Sequence, residues 1–80
     1  MIYLIDYDWR AERLVSMQAF DDGLRTQAEA ARRALEVRLL KESRDREVVL
    51  LEALDEAGLR RTHGRYFKSL EELLAQATHG

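Results

Sequence analysis

The 80-residue chain contains no cysteine and no proline. Without cysteine neither a disulfide framework nor a thiolate zinc site can staple the fold, so stability rests on packing and association, as suits a reducing compartment. Its four glycines form no Gly-rich phosphate loop, and nucleophile-elbow, metalloprotease-helix and zinc-ligand spacings are missing, which argues against enzymes recognised from local motifs. No apolar run approaches the roughly 20 residues that span a bilayer. Residues 1–9 are apolar but carry Asp6 and Asp8, with no basic leader or small-residue cleavage site, so the expectation is a cytoplasmic protein. Neither sign of charge dominates: the formal net charge is -2, and binding to nucleic acid or anionic lipid would need a local basic patch.

What is present is ordinary globular material, 46% hydrophobic and 35% charged, with length for one core and no repeat or linker to divide it. A single α+β domain over residues 1–80 is expected. Residues 1–8 are β-branched and aromatic at nearly every position, with Ile2 and Leu4 on one face and Tyr3, Ile5 and Tyr7 on the other. They predict a strand. A polar stretch reverses the chain, and Arg13–Phe20 predicts the second strand of a hairpin whose loop, lacking Asn-Gly or Asp-Gly, has four or five residues. Asp21, Asp22 and Gly23 break the pattern before a helix over residues 24–41, opened there or by a Thr26/Glu29 capping box and marked by Leu24, Ala28, Ala31, Leu35 and Leu39. Residues 47–54 predict a third strand buried on both sides. Asp55 caps a further helix weakened by Gly58 and Gly64, and Ser69 with Glu72 opens a terminal helix.

The helix between strands two and three makes those strands parallel, and the hairpin makes strands one and two antiparallel, so strand one belongs in the middle. The predicted fold is a three-stranded antiparallel-type sheet, ββαβαα in order 2-1-3, with the helices packed on one face. Strands one and three show apolar side chains to both faces, which implies a second protomer against the free face or an edge.

At REVVLLEALDEAGLRRTHGRYF, residues 46–67, the chain resembles the closing part of small bacterial proteins that pair a Val/Leu-rich strand with an Arg-Arg-Thr-His and Tyr-Phe ending. That group has no assigned activity, so the resemblance implies a bacterial origin and carries over no functional residues. The strand followed by a capped helix is also similar to the last unit of ferredoxin-like and dimeric α/β-barrel domains, as in many α+β folds.

Four groups of residues are candidates for a site. Arg60, Arg61, His63, Arg65 and Lys68, interleaved with Tyr66 and Phe67, have the composition that binds single-stranded nucleic acid or a phosphate; a solvated helix face with its rings in the core is the competing reading. Tyr3, Tyr7, Trp9 and Phe20 would gather near the hairpin as a cleft or interface, with Trp9 as the exposed anchor. Asp6 and Asp8 share a strand face and could hold a divalent cation if Asp21 or Asp22 came close, although such a pair more often marks a turn. His63 is the one internal histidine, with no second histidine, cysteine or serine to complete a constellation; His79 lies near the end.

The leading expectation is a non-enzymatic, self-associating protein-interaction module, a homodimer without cofactor or metal. The alternatives are a nucleic-acid-binding regulator using residues 60–68, and a small ligand-binding or enzymatic dimeric α/β-barrel-like domain.

Overall fold

A computed structural model describes residues 1–42 and 45–67. The elements are β1 (Ile2–Asp8), β2 (Arg13–Phe20), a 3-10 turn over Asp22–Leu24, α1 (Arg25–Leu40), β3 (Arg46–Glu52), α2 (Glu56–Thr62) and a second 3-10 turn over Gly64–Phe67. The fold is α+β: β1 pairs antiparallel with both neighbours, and the sheet order is β2-β1-β3. The expected terminal helix, with Ser69, Glu72 and His79, lies outside the described residues.

The hairpin is closed by residues 9–12, a four-residue loop. Asp8 turns the chain by accepting from the backbone N–H groups of Arg10 at 3.0 Å and Ala11 at 2.9 Å, the usual service of an aspartate at a turn. Glu12 completes the reversal with φ of 55°. Farther along β2 the register shifts between Asp6 and Tyr7, leaving Val15 as an unpaired bulge.

Every residue of β1 from Ile2 to Tyr7 is buried, and alternation along the strand divides them between two helical covers. Tyr3, Ile5 and Tyr7 form one cluster with Leu59 of α2 and Tyr66 of the second 3-10 turn, flanked by Met17, Val49 and Leu51. Ile2 and Leu4 face the other way. On that side α1 lies against β3 and β1, burying Ala28 and Leu39 with Ala31 and Leu35 half-buried, so these four residues of the predicted apolar face pack, while Leu24 falls in the preceding 3-10 turn and is exposed. Burying a side chain the size of Ile5 or Leu59 stabilises by about 1.5 to 3 kcal/mol relative to leaving it exposed.

The helices therefore do not share one face, contrary to expectation. A central strand apolar on both sides has two surfaces to bury. The crossover helix covers one, and the short helix after β3 covers the other. A second expectation also changes: the run in β3 is an edge strand rather than one buried on both sides, and its residues from Arg46 to Leu51 are only half-buried. It ends at Glu52, and Leu54 stands 93% exposed.

Local capping follows the sequence at α2, where the Asp55 carboxylate accepts from the Gly58 N–H at 2.8 Å. It departs from the sequence at α1. The 3-10 turn runs straight into the helix, Leu24 occupies the cap position without a side-chain hydrogen bond, and Thr26 falls inside the first turn. α2 ends at Thr62 with His63 at its cap, and at Gly64, a weak helix former, the chain tightens into the 3-10 turn that carries Tyr66.

Candidate functional site

The basic segment after Asp55 is folded onto the protein's own acids and rings. Tyr66 is 5% exposed, with its ring edge-on to Tyr7 at 5.3 Å. Its hydroxyl donates to Glu47 of β3 in a short hydrogen bond. Arg65 donates to the same carboxylate at 2.7 Å and to the Tyr66 hydroxyl at 2.7 Å, with its guanidinium 4.2 Å from the Tyr66 ring centre. Burial, then the bond to Glu47, raises the Tyr66 pKa above its ordinary 10.0.

Arg60 is engaged in the same manner. It bonds Glu56 one turn earlier at 2.9 and 3.2 Å, and its guanidinium sits 4.5 Å from the centre of the Phe67 ring. Arg61 is exposed and forms no ion pair among the described residues. His63 closes α2 through its backbone, donating N–H to the Leu59 carbonyl at 2.8 Å and accepting from the Tyr66 N–H at 3.2 Å. Lys68 lies outside the described residues. The ring nearest the arginines is a core ring, and two of the cations are neutralised in place.

The aromatic quartet does not gather. Tyr3 and Tyr7 belong to the α2-side core. Phe20 is half-buried on the α1 side opposite Ile2, at the far end of the sheet from the hairpin loop. Trp9 alone is free at its ring, 52% exposed, while its backbone N–H donates to the Asp45 carbonyl at 3.0 Å.

The paired aspartates have separate tasks. Asp6 is buried, and Arg46 of β3 grips both of its carboxylate oxygens, at 3.0 and 3.1 Å. Asp8 holds the hairpin turn. Asp22 binds the Met1 amino group at 2.6 Å at the opposite end of β1, and no three potential metal ligands converge among the described residues. An acid in a strand of apolar residues was the available signal for a buried partner, and the spacing to Arg46 could not be read before the strands were paired.

The feature that sequence reading under-weighted is the outer edge of β3. The ladder to β1 is bracketed by Ala53 N–H to Met1 carbonyl at 3.1 Å and Trp9 N–H to Asp45 carbonyl at 3.0 Å, with unbroken register between. Hydrogen-bonded pairs alternate along an antiparallel ladder, so residues 47, 49 and 51 bond to β1. The N–H and C=O groups of Arg46, Val48, Leu50 and Glu52 point outward. Among the described residues nothing pairs with them. The β2 edge is blunted by its bulge, whereas β3 is regular for seven residues and apolar at its centre, the kind of edge that templates another strand.

The chain matches no protein-family model, no curated protein and no solved structure.

Proposed function

We propose that this chain is a non-enzymatic interaction module that self-associates through the β3 edge of its sheet. The observation that carries the reading is the regular, half-buried strand Arg46–Glu52, with Val48, Val49, Leu50 and Leu51 presented beside outward-pointing backbone groups. Both faces of the central strand already have helical covers, so the edge, and not a sheet face, is where a second chain gains most. Exposed apolar side chains in the same molecule, Leu40 at 79% and Leu54 at 93%, add surface that association can bury.

Burial of Tyr66 and the pairing of Arg60 and Arg65 favour this reading over nucleic-acid binding, which asks for free cations and an open stacking ring. The ion pair between Asp6 and Arg46 weighs against using that carboxylate as a ligand-binding group. The lack of cysteine fits work in a reducing cytoplasm, and the likeness of residues 46–67 to small bacterial proteins adds a bacterial source.

Sedimentation equilibrium of the full chain tests the proposal. A dimer mass in the low micromolar range is the expected result, and a monomer mass maintained to several hundred micromolar overturns it.

A further inference from the structure

We infer that two copies join β3 to β3, antiparallel, about a two-fold axis at Val49, giving one six-stranded sheet; this deepens the proposed self-association and rests on it. The register follows from three constraints. A continuous antiparallel sheet keeps opposed side chains on one face, so a two-fold axis perpendicular to it must pass through a residue position and not between two. Centring on Val49 is the choice that overlaps all seven residues of β3. It also sets the outward groups of Arg46 against those of the partner's Glu52, and Val48 against the partner's Leu50, as hydrogen-bonded pairs.

Charge supports that centre. Arg46 and Glu52 close the two ends of β3 on the same face, so the axis at Val49 brings opposite charges near each other across the seam twice, in addition to the pairs each makes in its own chain, Arg46 with Asp6 and Glu52 with Arg25. Moving the centre to Val48 or Leu50 sets Arg46 against an apolar residue or beyond the strand, and loses both pairs.

The helix gives an independent register. Arg25, Glu29, Arg32 and Glu36 fall in one stripe of α1 about 60° wide, from the 100° turn per residue. Arg25 is ion-paired to Glu52 of β3, so the stripe faces the β3 edge. Ala31, Ala34 and Arg38 instead line the groove toward Ser16 and Gln18 of β2. Along the stripe the signs alternate, and such a row is complementary to its own reverse: Arg25 meets the partner's Glu36, and Glu29 meets the partner's Arg32. Within one chain the same side chains are only loosely paired, Arg25 with Glu29 at 3.9 Å and Arg32 with Glu36 at 3.8 Å, both longer than a hydrogen bond.

The two registers agree on one axis. From Glu52 to Val49 is about 10 Å of strand, which corresponds to between six and seven residues of helix at about 1.5 Å each. Counted from Arg25, which sits beside Glu52, this places the axis level with Ala31 or Arg32. The charge stripe is centred between Ala30 and Ala31, within about one helical residue.

The absence of native cysteine makes the test direct. Val49 bonds to β1, so across the new seam it is a non-hydrogen-bonded pair with itself, about 4.5 Å between Cα atoms, inside the range for a disulfide. Under mild oxidation Val49→Cys is expected to give a near-complete covalent dimer. Leu51→Cys, about 14 Å from its own copy in this register, is expected to remain monomeric on a non-reducing gel. In parallel, Glu29→Arg on the helix flank is expected to weaken dimerisation by about tenfold, and Glu29→Arg with Arg32→Glu to recover it, because the reversed stripe is again self-complementary. These flank variants leave the core untouched, so they decide the matter even if Val49→Cys folds poorly. If sedimentation shows a dimer while Leu51→Cys cross-links, or the double variant is no better than the single, the register is wrong and self-association stands. If the wild-type chain is a monomer, both fall.

Discussion

Asp6 is a carboxylate buried at the centre of β1 and held by both nitrogens that Arg46 offers it. Such a pair adds little net stability over an apolar substitute, because desolvating two charges offsets their attraction, but breaking it strands the survivor. Asp6→Ala is expected to cost about 3 to 5 kcal/mol in urea unfolding, and Asp6→Leu with Arg46→Leu to recover most of that loss. Tyr66 is sensitive in the alkaline range. Burial and the Glu47 carboxylate raise its pKa in the folded state, so the unfolded chain releases the phenolic proton first. The stabilising contribution is complete below about pH 10 and is lost as pH rises through the folded-state value. Thermal melts at pH 9 to 11 should show a falling midpoint, with a shallower fall in Tyr66→Phe. The basic composition of residues 60–68 was plain in the sequence, but its meaning depended on Glu47, brought alongside by the pairing of β3 and invisible to local spacing.

Among the elements, the hairpin, α1, β3 and α2 were legible because each carries its own periodicity and stop signals. The strand order was legible too, since a hairpin followed by a crossover helix leaves the first strand in the middle. The faces were not. Nothing in the Ala/Leu pattern of α1 or the Leu59 position of α2 states which side of β1 each will cover, and the choice is made by a strand apolar on both sides. The run Val48–Leu51 was similarly ambiguous, since an edge strand under two helices has the same composition as a fully enclosed one. The cap of α2 was read correctly, and its weight can be measured: Asp55→Ala removes the acceptor for the Gly58 N–H and is expected to cost about 1 kcal/mol. Leu59→Ala, inside the core of a helix only seven residues long, should cost about 2 to 5 kcal/mol. The ratio of these two losses in chemical denaturation separates what holds α2 as a helix from what holds it to the sheet.

At the scale of the whole molecule, the geometry of the ladder supplies a variant that separates folding from association. The N–H of Val48 points away from β1, so Val48→Pro removes no hydrogen bond from the existing sheet; proline at an outward position of an edge strand is tolerated, and Glu47 before it is already extended, as that site requires. The same substitution removes a donor on each side of the proposed seam and sets a ring against the incoming strand. A dimer that unfolds to free chains has a melting midpoint that rises with protein concentration, and a monomer has one that does not. The wild-type midpoint is therefore expected to climb by several degrees over a hundredfold rise in concentration. Val48→Pro should hold a constant midpoint, close to the wild-type value extrapolated to low concentration, with its far-ultraviolet spectrum unchanged. Val49→Pro supplies the contrast, because its N–H belongs to the ladder with β1 and its loss should unfold the protomer. Should Val48→Pro retain the wild-type concentration dependence, the seam lies elsewhere than the β3 edge, and the exposed flank of α1 with Leu40 becomes the surface to mutate next.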